Sequence, residues 1–166
     1  MNRIIRLMTS EDMPAVWAIQ CECYQHILEP ESVESLDAKR QASADSCFVA
    51  IHQGKVCGYL ISMPWTFAQV PALNDPSCNL PADLNVLYLH DMAIAPCMAG
   101  QGVGQALFSA YQQAAKQLGF SRLALTAVGD AQRYWIKLGF KEVDLALNQQ
   151  KVADYGGQVS YMYQDC

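Results

Sequence analysis

The stretch APCMAGQGVGQALF, residues 95–108, sets Gly100, Gly102 and Gly104 on alternate residues and then runs straight into an apolar-patterned segment. Behind it lies LNVLYLHDMAIAP (84–96), apolar on nearly every residue, which predicts a central strand covered on both faces. Ahead of it, Val103, Leu107, Ala110, Tyr111, Ala114 and Leu118 recur at i, i+4, i+7, i+8, i+11 and i+15. That spacing predicts a helix of about four turns, closed by Gly119. A buried strand, a glycine corner and an amphipathic helix in this order point to an α/β fold. The corner also places a helix N-terminus, with unpaired N–H groups and the positive dipole end, where bare backbone can approach an anion. A P-loop is excluded because no Gly-Lys-Ser/Thr follows. The dinucleotide fingerprint fails because Gln105 stands where its third glycine belongs.

The rest of the chain reads as a single domain, 1–166, with no repeat and no internal linker. RIIRLM (3–8) predicts a strand, followed by a helix over 12–25 with Thr9 and Ser10 as N-cap candidates. A polar second helix begins near Ser32, and CFVAIHQGKVCGYLISM (47–63) is a hairpin turning at Gln53-Gly54. Residues 64–83 carry four prolines and no period, so they form a loop over the surface or over a site. A strand over 121–128, a short helix over 130–138 ended by Gly139, and strands at 140–147 and 157–164 complete a mixed sheet.

Eleven Lys and Arg against sixteen Asp and Glu give a formal charge of −5, which argues against a nucleic-acid partner and suits a cationic substrate. No apolar run reaches the ~18 residues of a membrane span. The seven cysteines are odd in number, show no C-x-x-C, and follow an N-terminus without a signal-peptide core, so a cytoplasmic protein is expected. Cys21-x-Cys23 lacks the His or Cys partners that would complete a metal site, and no metal is expected.

Val86–Val143 resembles the core of the GCN5-related N-acetyltransferase (GNAT) superfamily. The likeness rests on LYLHDMAIAP, MAGQGVGQAL, the helix after it and the closing YWIKLGFKEV. It implies an α/β fold with a mixed, mostly antiparallel central sheet and flanking helices, and acetyl-CoA as co-substrate. Carried over by position, Gly100, Gln101, Gly102, Val103, Gly104 and Gln105 would hold its pyrophosphate through backbone N–H groups. Met92, Ala93 and Ile94 would pair with the pantetheine arm. Ala99 stands where the family usually has Arg or Gln, a loss that should weaken the cradle without abolishing it.

Acetyl transfer to an amine needs the neutral amine, and a Lys-like amine is neutral only about once in 10³ molecules at pH 7, so a base is expected. His90 matches a strand position where arylalkylamine-type members carry a histidine and is the first candidate. Asp91 is its neighbour; on a regular strand the two point to opposite faces, so only one should face a given cleft. His26 and His52 read as surface or loop residues. The family's usual acid, a tyrosine four residues before the closing Gly-Phe, is replaced by Trp135, which the resemblance sets against the cofactor arm. Tyr134 is one residue away, about 100° of helix, and needs a rotated helix to take the role. Glu29, Glu31, Glu34, Asp75 and Asp83, with Trp65 and Phe67 as an apolar wall, are candidates for the amine-binding mouth.

The resemblance implies direct transfer from acetyl-CoA to a primary amine of a small molecule, by a monomer or homodimer. A protein or peptide N-acetyltransferase, a catalytically silent acyl-CoA-binding domain (suggested by Ala99 and Trp135) and a plain nucleotide-binding domain are the alternatives. Cys97, beside the loop, raises the idea of an acetyl-cysteine intermediate.

Overall fold

The computed structural model describes residues 3–24, 29–143 and 159–166. In chain order these form β1 (Arg3–Leu7), α1 (Met13–Tyr24), α2 (Val33–Ala42), β2 (Phe48–His52), β3 (Lys55–Trp65), β4 (Val86–Ile94), α3 (Val103–Leu118), β5 (Arg122–Val128), α4 (Ala131–Lys137), β6 (Lys141–Val143) and β7 (Val159–Asp165). The strands build one sheet in the order β1-β2-β3-β4-β5-β7-β6. Every pairing is antiparallel except β4 with β5. This is the mixed, mostly antiparallel sheet that the family resemblance implies. The parts of the expected elements at 25, 144–147 and 157–158 lie outside the described residues.

The sheet is covered on both faces because β3 and β4 are apolar on both. On one side α3 and α4 press Leu107, Phe108, Tyr111 and Trp135 onto Leu87, Leu89, Leu123 and Leu125. On the other, α1 and α2 set Val16, Ile19 and Leu36 against Val49, Tyr59 and Ile61. Leu107 is fully buried, so truncating it to alanine costs about 2–5 kcal/mol. The glycine punctuation of α3 is literal: Gly102 caps its start at φ 80° and Gly119 its end at φ 84°, both left-handed. At the close, the Gly119 and Phe120 N–H groups return to the Lys116 and Ala115 carbonyls at 3.2 and 2.8 Å.

Two irregularities in β4 shape everything that follows. Its parallel pairing with β5 covers only Leu87–Leu123, Tyr88–Ala124 and Leu89–Leu125. Beyond Leu89 the two strands part, β4 continuing along β3 and β5 along β7. The second is a bulge: Ile61 of β3 faces Asp91 and the next residue, Ser62, faces Leu89. His90 is the extra residue, and a bulge of this kind interrupts the strict in–out alternation of a strand.

Candidate active site

The parting of β4 and β5 opens a cavity of about 550 Å³, with Leu89–Met92 on one side and Leu125–Asp130 on the other. The backbone edge of β4 is bare of β5 here. Ala95 N–H bonds to Cys57 O of β3, which by alternation turns the Met92 and Ile94 backbone groups toward the fork. Their carbonyls accept from the Tyr24 hydroxyl and the Cys23 thiol, each at 3.2 Å. An extended ligand arm laid in the fork would meet a strand edge.

The glycine corner adjoins this cavity through Tyr134 and Met92, which line it and also lie against Gly104. Gly100 and Gly102 adopt φ of 76° and 80°, and a Cβ at Gly100 would meet nothing within 4 Å. The first helical bond of α3 is Ala106 N–H to Gly102 O at 3.1 Å, leaving the N–H groups of Val103, Gly104 and Gln105 outside the helical ladder. Ala99, Gly100, Gln101, Gly102 and Gln105 are exposed, while the Val103 side chain is core. Reasoning from sequence missed Arg3. Its guanidinium donates to Gln101 O, and its Nη1 lies 3.6 Å from where a Gly102 Cβ would stand. A cation therefore sits beside the corner that lacks one at Ala99.

Tyr134 reaches the same place from α4: its hydroxyl, the Ile94 Cδ1 and the Met92 Cε lie 3.0, 3.5 and 3.7 Å from a Cβ built on Gly104. Burial raises the phenol's pKa above 10, so it holds its proton. No rotated helix is needed, because both Tyr134 and Trp135 line the cavity. Trp135 is buried among Phe108 and Phe140, with ring centroids 6.0 and 5.6 Å away. Ala93 is buried on the opposite face, beneath α1.

The bulge overturns the expectation that only one of His90 and Asp91 faces the cleft; both line it. Asp91 accepts from the Tyr59 hydroxyl at 2.6 Å and the Tyr24 hydroxyl at 2.8 Å. Desolvation raises its pKa, against the pull of those hydrogen bonds and of His90. The His90 Nε2 lies 2.5 Å from Glu31 Oε1, and its Nδ1 is buried with no partner among the described residues. Glu31 also meets the Lys39 ammonium, at 3.3 Å. Burial pushes the Glu31 carboxyl up, but His90 and then Lys39 and Ser35 bring it down to about 2.

Of the proposed mouth, Glu29 and Glu31 line the cavity, and Asp130 joins them. Glu34, Asp75 and Asp83 do not, nor do Trp65 and Phe67. Those two aromatics pack instead around Met63, Tyr88 and Tyr161 at the far end of the sheet, because β3 runs on through Pro64 and Trp65. Leu73 is what that loop contributes. His52 ends β2 away from the cavity, and His26 lies outside the described residues. Among the described residues no His, Cys, Asp and Glu group is arranged to hold a metal, and no helix is long and apolar enough to cross a membrane.

A fork between the two parallel strands of an otherwise antiparallel sheet, beside a glycine-capped helix start, is the layout that the resemblance of Val86–Val143 to the acetyltransferases leads one to expect. The sequence profile of the Acetyltransferase (GNAT) family matches residues 13–140, and the chain belongs to that family. No curated protein matches the sequence. Among solved structures, the loading GNATL domain of CurA from Lyngbya majuscula superposes with a TM-score of 0.80 at 14% identity, covering 99% of this chain and 98% of that one. The PaiA N-acetyltransferase of Thermoplasma acidophilum, in complex with coenzyme A, gives 0.68 at 16% identity with all of both chains covered. The Drosophila melanogaster polyamine N-acetyltransferase, which forms N-acetylagmatine, gives 0.70 at 15% identity over 99% and 100% of the two chains. At these identities the likeness is one of fold.

Proposed function

We propose that this protein is an acetyl-CoA-dependent N-acetyltransferase that moves acetyl directly onto a primary amine of a small, cationic molecule. The observation that carries the reading is the cavity and what adjoins it. A strand edge and a histidine with a bare nitrogen stand in its wall, and Tyr134 and Met92 of that wall reach the glycine-capped start of α3 at Gly104. The residues suit the co-substrate: N–H groups over Gly100–Gln105, with Arg3 supplying the charge Ala99 does not, would hold a pyrophosphate. The Met92–Ile94 edge would pair with the pantetheine arm. When bound, the thioester supplies the acetyl group. The N-acetyltransferase structures that share this fold support the chemistry, among them one complexed with coenzyme A and one acting on polyamines.

His90 takes one proton from the substrate ammonium, and the freed lone pair forms the N–C bond as the C–S pair passes to sulfur. Tyr134, holding its proton, gives it to that sulfur as the charge grows. The amine's second proton then restores Tyr134 and the first leaves His90 for solvent, so protons and electrons balance. Glu29, Asp91 and Asp130 give the cavity its negative sign, and among the described residues no Lys or Arg lines it, which favours a cationic amine. Seven free cysteines fit a reducing compartment, the cytoplasm.

The test is thermal unfolding with acetyl-CoA, CoA, ATP and NAD in parallel, followed by a panel of amines. A ligand at 100 times its Kd adds ~2.7 kcal/mol, and at this size each kcal/mol moves Tm by roughly 2–4 °C. A rise of about 5–10 °C with the two CoA species alone, and turnover of a diamine or polyamine, are expected. No shift with CoA removes the co-substrate. A shift with no turnover leaves the silent acyl-CoA-binding domain.

A further inference from the structure

His90 and Glu31 are the most heavily constrained pair in the cavity wall. The His90 side chain is 1% exposed and Glu31's is 5%. The Glu31 backbone is held at both ends: its N–H donates to Gln20 Oε1 at 3.0 Å, and its carbonyl accepts from Gln20 Nε2 at 2.9 Å and Trp17 Nε1 at 3.0 Å. Its carboxylate divides its work. Oε1 faces His90 Nε2 at 2.5 Å, while Oε2 accepts from Ser35 Oγ at 3.1 Å and Lys39 Nζ at 3.3 Å. The next residue, Ser32, caps α2 by accepting from Ser35 N–H at 3.1 Å, so the first turn of that helix fixes where Glu31 stands.

Apolar packing of the same volume would serve folding at least as well as this arrangement. Buried ion pairs are weak contributors to stability compared with apolar packing of the same volume, and a buried imidazole nitrogen without a partner is a cost. The arrangement has a chemical consequence instead. A neutral imidazole has one N–H and one lone pair. Glu31, whose carboxyl is held low by His90 first and then by Lys39 and Ser35, is an acceptor only, so the N–H belongs on Nε2 and the lone pair on Nδ1, the nitrogen that has no partner among the described residues. Among the described residues, the other charged or titratable groups near the ring are Asp91 beside it on β4, Tyr24 from α1 and Tyr59 from β3 bonded to Asp91, and Glu29, Asp130 and Tyr134 in the cavity lining.

We propose that Glu31 is the positioning residue of this site: it holds the His90 ring by Nε2–H and so makes Nδ1 the nitrogen that receives the amine's proton. The idea rests on the acetyltransferase reading. In the step, R–NH3+ gives one proton to Nδ1, leaving a neutral amine and an imidazolium whose Nε2–H remains on Glu31. Lys39 acts one place further back: its ammonium, 3.3 Å from Glu31 Oε2, adds to the pull of His90 that keeps Glu31 an anion.

Two measurements test it. In 15N-labelled protein, with His90→Gln as the assignment control, long-range 1H–15N NMR of the imidazole reads the tautomer without any turnover. Nε2 protonated and Nδ1 bare is expected; Nδ1 protonated overturns the proposal. Glu31→Gln keeps the shape but removes the charge. It should lower kcat at least about tenfold, leave KM for acetyl-CoA unchanged, and move the acid limb of kcat/KM to lower pH, since the imidazolium loses its facing carboxylate. A variant with wild-type kcat and acid limb reduces Glu31 to a structural role. Should Glu31→Gln not fold, the wild-type tautomer still decides. If the tautomer is as expected, CoA binds, and no amine is acetylated, the reaction falls and Nδ1 as its base with it, while Glu31 as the holder of the ring stands.

Discussion

The Tyr134 hydroxyl lies 3.0 Å from the point where a side chain on Gly104 would begin. Gly104 is not among the positive-φ glycines, so alanine fits its backbone and should strengthen the first turn of α3 by up to about 1 kcal/mol. The added methyl must displace the phenol, the far end of a flexible side chain. Gly104→Ala should therefore keep or slightly raise Tm and lower kcat about tenfold, the loss of kcat that Tyr134→Phe should also show. Because both act on one hydroxyl, the double variant should lose no more than either alone. Additive losses in a double-mutant cycle would separate Tyr134 from the reacting centre.

Arg3 gives a second prediction. Arg3→Ala should weaken CoA binding about tenfold, the worth of one charge-assisted contact. It should also flatten the salt dependence of Kd, with Tm unmoved because the residue is exposed. Gly102→Ala is a poorer probe of the same corner. At φ 80° it strains the backbone by roughly 1–2 kcal/mol whatever the ligand needs. Equal CoA affinity in Arg3→Ala and wild type by titration calorimetry would return the corner to its amides alone.

How far these sites could be read in the sequence depends on how far apart their partners lie. The apolar run of β4, the alternate glycines and the 3.6-residue period of α3 are local, and they carried the fold. The bulge is not local: it exists because Ile61 and Ser62 of β3 skip His90, and nothing between Leu84 and Pro96 announces it. That one extra residue puts His90 and Asp91 on the same side, where strand alternation sets them apart. The Glu31–His90 contact spans 59 residues and Arg3–Gln101 spans 98, so no periodicity reports either. Trp65 and Phe67 misled because an aromatic in a proline-rich loop looks available, whereas Phe67 is spent on Tyr161 and Tyr163, 5.6 and 5.7 Å away.

The buried carboxyl of Glu31 makes acid stability predictable. Ordinarily 4.5, its pKa sits at about 2 in the fold. A carboxyl lowered in this way adds stability that is complete above the ordinary value and disappears as pH falls to about 2. The shift corresponds to about 3 kcal/mol. The Tm advantage of wild type over Glu31→Gln should thus be full near neutral pH and close between about pH 4.5 and 2. A difference that ignores pH would mean that packing, not charge, is what the substitution disturbs.

Direct transfer predicts that the enzyme never carries the acetyl group. Cys97 is exposed in the short turn before the glycine corner, near enough to invite the alternative. Incubated with acetyl-CoA alone, the protein should keep its mass, and Cys97→Ala should keep its kcat. One added acetyl per chain, lost in Cys97→Ala and discharged by amine, would make the reaction a two-step one.

Asp91 carries the last prediction, in which stability and function pull apart. Its carboxylate is raised chiefly by desolvation, so the folded state holds its proton more tightly than the unfolded chain does. The unfolded state then binds fewer protons, and stability falls as pH climbs above the ordinary carboxyl value of 3.8. Asp91→Asn removes the buried charge and keeps the size. Its oxygen can accept from one of the two phenols while its amide donates to the other, so Tyr24 and Tyr59 stay paired. The variant should have a higher Tm than wild type at neutral pH, with the gap closing below about pH 4. It should also bind a cationic amine more weakly, raising KM for the amine and not for acetyl-CoA, because the cavity loses one of its negative groups. A lower Tm at neutral pH would mean the two phenol bonds outweigh the desolvation. An unchanged amine KM would remove Asp91 from the substrate's surroundings and leave it a strut between α1 and the sheet.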